Sequence, residues 1–212
     1  MRKPKREERE LSVEKTEAIL DGAMQEFLVN GYAATSMDKI AAAASVSKAT
    51  VYSHFQDKER LFTALMQRLA SKKELFSLQS LQSMQGEPAV VLSGFANRML
   101  DNIETDPQLL TFIRLIIGES GRFPELARAF VQNIEKPTLE LLTQYLASRS
   151  ELQLPDPEVA ARAFVGGIIH FVIIQDLLHG GDLLPMERDR LLTYLLDLII
   201  GRGQSAQKSI TI

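Results

Sequence analysis

Cysteine is missing altogether from the 212 residues, which rules out disulfides and thiolate metal sites. No hydrophobic run is long. The richest windows, 163–178 and 191–200, fall short of the ~20 apolar residues needed to cross a bilayer. The first stretch, MRKPKREERELSVEK, is charged throughout and nothing like a cleavage site follows it, so an export signal is not expected. These absences predict a cytoplasmic protein without a membrane partner. His54, His170 and His179 show no ligand pairing at helical spacing, and no metal or cofactor is expected. His170, inside IIHFVII, reads instead as a core or interface histidine. Gly166-Gly167 and Gly180-Gly181 follow no strand and have no phosphate-loop spacing. The carboxylates Asp101, Glu104, Asp106, Glu119 and Glu125 are scattered over helix ends and loops with no nucleophile among them, which suits caps and surface charges and gives no catalytic constellation.

A charge excess is missing as well. The net charge is −3, and residues 1–70 hold eleven basic against ten acidic side chains. A basic balance would point to nucleic acid, and this one only permits it. What the chain does have is ordinary globular composition, 45% hydrophobic and 24% charged, and helical periodicity nearly everywhere. Ile19, Ala23 and Phe27, flanked by Leu20, Met24 and Leu28, make a wide apolar stripe that stops at Asn30-Gly31. Thr35 stands three residues before Asp38, at capping-box spacing, and opens MDKIAAAA. Ser47 can cap KATVYSHF and Asp57 can cap the long segment from Lys58. Beyond the Ser/Gln-rich SLQSLQSMQGEP, helices are predicted at about 88–104, 107–118, 124–148, 156–179 and 186–201, the third kinked or split at Pro137. The fold class is therefore all-α: a three-helix head and a larger helical C-terminal domain. The divisions fall at 1–12 for a basic arm, 13–72 for the head, 73–87 for a connection, 88–203 for the C-terminal domain and 204–212 for a tail.

Residues 35–58 have the pattern of a helix-turn-helix, with the motif proper over 35–54. Ala41, Ala42 and Ala44 let two helices cross closely, and Ile40, Val46, Val51 and Phe55 can form the small core that sets their angle. Lys48, Ala49, Thr50, Tyr52 and His54 stay outside that core and can reach phosphates or base edges. A packing module without DNA, such as an all-helical ligand carrier or interaction domain, is the alternative. It has no use for Lys48, Thr50, Tyr52 and Lys58 together.

At these residues the chain resembles the TetR family of bacterial regulators. ILDGAMQEFLVNGYAATS, IAAAASVSKATVYSHF and KERL match the family's pattern in order over about residues 16–62, and RLIIGESGRFPELARAF resembles the C-terminal domain of its AefR-like subgroup. The resemblance implies a DNA-binding regulator of transcription, with repression the family's habit, and a homodimer responsive to an apolar small molecule. It implies that Thr35 and Ser36 cap the first motif helix with one or the other near a phosphate, that Ser47 opens a recognition helix over 48–54, and that Tyr52 and Lys58 reach phosphates. Lys48, Ala49, Thr50 and His54 become groove candidates, and Lys39 a backbone or base contact. Ser45 stands where the family has Gly, at a turn position expected to need φ > 0, at a cost of about 1 kcal/mol. Arg2, Lys3, Lys5, Arg6 and Arg9 form a basic arm that either enters a minor groove or stays a solvated tail.

In the C-terminal domain, Phe95, Met99, Phe112, Phe130 and Phe164 lie on separate helices and are candidates to line an effector pocket. Segments 156–179 and 186–201 carry apolar residues around the whole helix, more than one domain face can bury. A two-fold interface would cover the excess, with Gly166, Gly167, His170, Phe171, Leu191 and Leu195 as candidates, the glycines permitting close approach.

Overall fold

The computed structural model describes residues 4–72 and 86–208, with side chains over 11–69 and 86–201. All its elements are helical among these residues. They divide into two compact units, one of residues up to 69 together with 111–133, the other of 70–110 together with 134 onward.

In the first unit α1 (Pro4–Ala34) breaks at Gly31, whose φ of 75° is open to glycine and strained for other residues. The helix starts at Pro4, inside the segment expected to be an arm. Arg2 and Lys3, and the side chains of Lys5, Arg6 and Arg9, lie outside the described residues, as do most of the 73–87 connection and the end of the 204–212 tail. Then come α2 (Met37–Ala43), α3 (Lys48–His54) and α4 (Lys58–Lys72). The stripe of α1 is buried as its spacing requires: Ile19, Ala23 and Phe27 are wholly enclosed with Ile40, Val51, Leu61, Phe62, Leu65 and Met66. Each of these side chains other than Ala23 contributes about 1.5–3 kcal/mol relative to exposure. Residues 111–133 complete this core. Phe112 of α6 (Pro107–Glu119) stacks on Phe62 at 5.4 Å, and Phe123 meets Tyr32 edge-on at 5.0 Å. Gly22, in mid-α1, lies so close to the turn after α2 that a Cβ there would come within 2.8 Å of Ala44 N.

In the second unit α5 (Pro88–Thr105), α8 (Lys136–Ala147), α9 (Pro157–Val172) and α10 (Arg188–Lys208) pack together, with α9 touching each of the others. The helix starts follow their signals. Asp156 accepts from Val159 N at 3.0 Å at the head of α9, and Pro88, Pro124 and Pro157 sit in the first turns of their helices. The 124–148 segment splits into α7 (Pro124–Phe130), a π turn (Val131–Glu135) and α8. Pro137 explains the split: it lacks an N–H and its ring crowds the Asn133 carbonyl, so widening the preceding turn relieves both. A second π turn, Ile173–Leu177, extends α9 and ends where Gly180 N donates to Ile174 O at 2.7 Å. The stretch Pro157–Leu177 is thereby 21 residues long, longer than the sequence windows suggested and enough by length and composition to cross a membrane. Only its Ala161, Phe164, Val165, Ile168 and Val172 are buried, and these form part of this unit's core. Arg188 ties the start of α10 to α5, donating to Asn97 Oδ1 at 2.6 Å, Asp101 at 2.6 Å and Glu104 at 3.1 Å.

Candidate nucleic-acid interface

The motif is assembled from its caps inward. Ser36 accepts from Lys39 N at 3.3 Å and so caps α2 by itself. Thr35, expected to share that role, is buried, and its hydroxyl lies within donating distance of Gly31 O at 2.8 Å and Glu26 O at 3.1 Å. Its hydroxyl thus bonds back to carbonyls of α1 on both sides of the break's start, which points it inward. Ser47 accepts from Thr50 N at 3.1 Å, and its hydroxyl lies 2.8 Å from the Thr50 hydroxyl, so α3 starts where expected. Ile40, Val51 and Phe55 form the small core, while Val46 is half-buried. Ser45 has φ 54°, so a side-chain-bearing residue does occupy the left-handed turn.

This packing turns one side of α3 outward. Lys48, Ala49, Tyr52 and Ser53 are exposed, with Tyr52 at 45%. Thr50 is half-exposed and tied to its cap, and the half-buried His54 has Nδ1 3.0 Å from the Thr16 hydroxyl of α1. His54 thus joins the recognition helix to α1, a link that sequence spacing could not show.

The three lysines of the motif all have partners inside the protein. Lys39 Nζ donates to Ala34 O at 3.0 Å. Lys48 Nζ lies 2.8 and 2.9 Å from the two carboxylate oxygens of Asp38 and 5.8 Å above the Tyr52 ring, and the pairing holds its ammonium above its ordinary pKa. Lys58 Nζ donates to Tyr32 O at 2.7 Å and Thr35 O at 2.8 Å, and sits 4.2 Å over the Tyr32 ring. Burial lowers its pKa, partly offset by Glu119. Instead of reaching outward, Lys58 clamps the segment between α1 and α2. Burial and the carboxylates of Glu59, Glu125 and Asp57 push the Tyr32 phenol well above its usual range.

The other candidates are distributed as follows. Phe112 and Phe130 belong to the first unit; Phe95, Met99 and Phe164 belong to the second, where all three are buried. Phe164 lines a concavity of about 200 Å³ with Val159, Ala163, Leu195 and Leu198. Leu195 and Gly167 face each other within the chain: a Cβ on Gly167 would come 2.8 Å from a Leu195 methyl, and Leu195 is buried. That glycine serves approach between α9 and α10 of the same chain. Gly166 has nothing near it, His170 is exposed, not in the core, and Phe171 and Leu191 are half-buried. Sequence periodicity missed the outward residues beside them, Val159, Tyr194 and Leu198, at 59, 64 and 47% exposure.

Comparison with known proteins agrees with this geometry. Residues 19–65 match the family model described as bacterial regulatory proteins, tetR family, and residues 90–198 match the AefR-like transcriptional repressor, C-terminal domain. The HTH-type transcriptional repressor BepR of Brucella suis is 31% identical over 80% of this chain and 83% of its own length. The HTH-type transcriptional regulator YvkB of Bacillus subtilis is 27% identical over 89% and 96%. Among solved structures, a TetR-family transcriptional regulator of Mesorhizobium loti superposes with a TM-score of 0.70 at 27% identity, covering 92% of this chain and 97% of that one. The flavonoid-responsive regulator FrrA superposes at 0.62 with 31% identity, covering 91% and 94%.

Proposed function

That the chain belongs to the TetR family of bacterial regulatory proteins is the premise from which we propose its function: a cytoplasmic homodimeric repressor that binds a palindromic operator and is released by a small apolar effector. Members of this family regulate transcription and are not enzymes. In this reading residues 13–72 hold the DNA and 88–203 dimerise and take the effector. The observation that carries it is the recognition helix Lys48–His54, capped by Ser47 and backed by Val51, with Lys48, Ala49 and Tyr52 exposed on its outer side. Tyr52 donates to a phosphate, which fixes register without reading sequence. Ser36 and Ser47 hold the ends of the two motif helices beside the DNA backbone, and Lys39 adds to the contact.

The dimer reading is supported by an apolar face that the chain leaves uncovered: Val159 and Gly166 on α9 with Tyr194 and Leu198 on α10, and His170 at its border. Two such helices from each subunit make a four-helix bundle with a two-fold axis. Effector release follows if the ligand alters the separation of the two recognition helices, since successive half-sites lie about 34–36 Å apart. Support for an aromatic effector is the name of FrrA, a flavonoid-responsive regulator. The 200 Å³ concavity at Phe164 is smaller than the ~300 Å³ at which ligand pockets begin.

The test is selection of bound fragments from random duplexes by the full-length protein. A two-fold consensus with half-sites about one helical turn apart is expected. Recovery of no consensus would overturn DNA recognition, and an asymmetric single site would overturn the dimeric mode. Flavonoids added to the operator complex should release it; retention of the complex with every flavonoid tried would refute that effector class.

A further inference from the structure

A conspicuous feature of the motif is that its cations are held. Non-specific affinity for DNA comes almost entirely from cations that neutralise phosphates and release counterions. Here the surface that carries the recognition helix has Lys39 on a backbone carbonyl, Lys58 on two carbonyls and a ring, and Lys48 on a carboxylate. Of the three, only Lys48 is held by a charged group, and it is held on the outer surface: the Lys48 and Asp38 side chains are 60 and 59% exposed. Asp38 stands in the first turn of α2 and Lys48 at the start of α3, so the pair spans both motif helices.

Resting on the DNA-binding reading above, we infer that Asp38 is a specificity residue of the interface. By holding the Lys48 ammonium it withholds a phosphate contact from non-specific DNA, and it presents Lys48 as a fixed donor to a base edge at the operator. The chemistry is a competition between two anions for one cation. Both carboxylate oxygens contact Nζ, so a phosphate approaching Lys48 meets an ammonium whose charge is already neutralised, beside a carboxylate that repels it, whereas an uncharged base edge meets no such repulsion. Random DNA therefore gains little from Lys48. At the operator the pair need not separate, because the ammonium has a third hydrogen for guanine O6 or N7 and the carboxylate has lone pairs for a cytosine or adenine amino group. The quantity improved is the ratio of specific to non-specific binding, which decides occupancy among competing genomic sites.

The experiment titrates full-length wild type, Asp38→Asn, Lys48→Gln and the double variant onto two duplexes, the selected operator and a shuffled duplex of equal length, from about 50 to 200 mM salt. Asp38→Asn should bind the shuffled duplex about fivefold tighter at low salt, with a log–log salt slope steeper by about 0.9, while operator affinity does not rise. Lys48→Gln should leave the shuffled duplex and its slope unchanged but weaken the operator, and adding Asp38→Asn to it should not steepen the slope. A slope that flattens in Lys48→Gln would overturn the inference, because Lys48 would then already contact phosphates. Equal gains of Asp38→Asn on both duplexes would also overturn it, reducing Asp38 to a general repulsive charge. A wild type that selects no operator is a different failure, that of the DNA-binding reading itself.

Discussion

Replacing Gly22 by alanine should destabilise the protein although it improves the helix. In the interior of α1 alanine is favoured over glycine by about 1 kcal/mol. Against this stands the new methyl group, 2.8 Å from Ala44 N and 3.1 Å from both Ala44 Cα and Cβ. The nearest obstacles are backbone atoms at the end of α2, so no side-chain rotation removes them. Overpacking of this kind costs about 1–3 kcal/mol, with backbone obstacles at the upper end, which leaves a net loss of about 1–2 kcal/mol. In a chain of this size each kcal/mol moves the melting temperature by about 2–4 °C, so Gly22→Ala should melt roughly 2–8 °C lower. Gly118, in α6 with nothing within 4 Å, is the control; Gly118→Ala should gain about 0.5–1 kcal/mol. Thermal unfolding of the two variants beside wild type decides the matter. If Gly22→Ala melts at or above wild type, the close approach of α1 to the α2–α3 turn is refuted. Operator affinity is a second readout, since moving Ala44 moves the turn at Ser45 that orients α3.

Ser45→Gly should raise stability by about 1 kcal/mol, because it relieves the residue at φ 54°; an unchanged melting temperature would refute the strain. Lys58→Met should lower the melting temperature and weaken operator binding without changing the salt slope, since the Nζ bonds to Tyr32 O and Thr35 O are lost. A slope flatter by about one would show Lys58 on a phosphate instead. Leu198→Glu should keep wild-type helicity by circular dichroism but sediment near the monomer mass of 23.7 kDa, because Leu198 is exposed in the single chain; an intact dimer would remove α10's outer face from the interface. Glu135 supplies a pH test: burial outweighs the attraction of Arg162 and raises its carboxyl pKa. A pKa raised on folding gives stability that is full below the unfolded value and lost as pH rises through the folded one. Glu135→Gln should therefore melt higher than wild type near pH 7, with the gap closing toward about pH 4; a gap that is constant with pH would refute the shift.

Residues whose role is local were readable in the sequence. Ser47 marks the start of α3 by the hydrogen bond it accepts, and the helices expected from about 88, 124 and 156 begin at Pro88, Pro124 and Pro157. The stripe Ile19–Ala23–Phe27 and the trio Ile40, Val51 and Phe55 were readable because burial follows the helical period. Roles that depend on a distant partner were not. Gly22 reads as a helix defect until Ala44 is seen beside it, and Lys58 and Thr35 turn inward onto backbone carbonyls between residues 26 and 35 that sequence spacing does not bring to them. Leu195 and Gly167 meet each other inside the chain, a contact periodicity does not reveal because it shows that a residue is apolar without showing what covers it. The π turn at 131–135 follows from Pro137 in kind, a break, but not in form.

The inclusion of residues 111–133 in the first compact unit has a consequence for synthesis on the ribosome. Phe62 and Tyr32 find Phe112 and Phe123 only after another forty to fifty residues have been translated, so the head cannot close its core when its own four helices emerge. An N-terminal fragment ending at residue 72 would carry the whole recognition motif with a vacancy on its inner side. Chimeras that exchange DNA-reading heads between relatives should therefore carry the 111–133 segment along with the first 72 residues, as one discontinuous module.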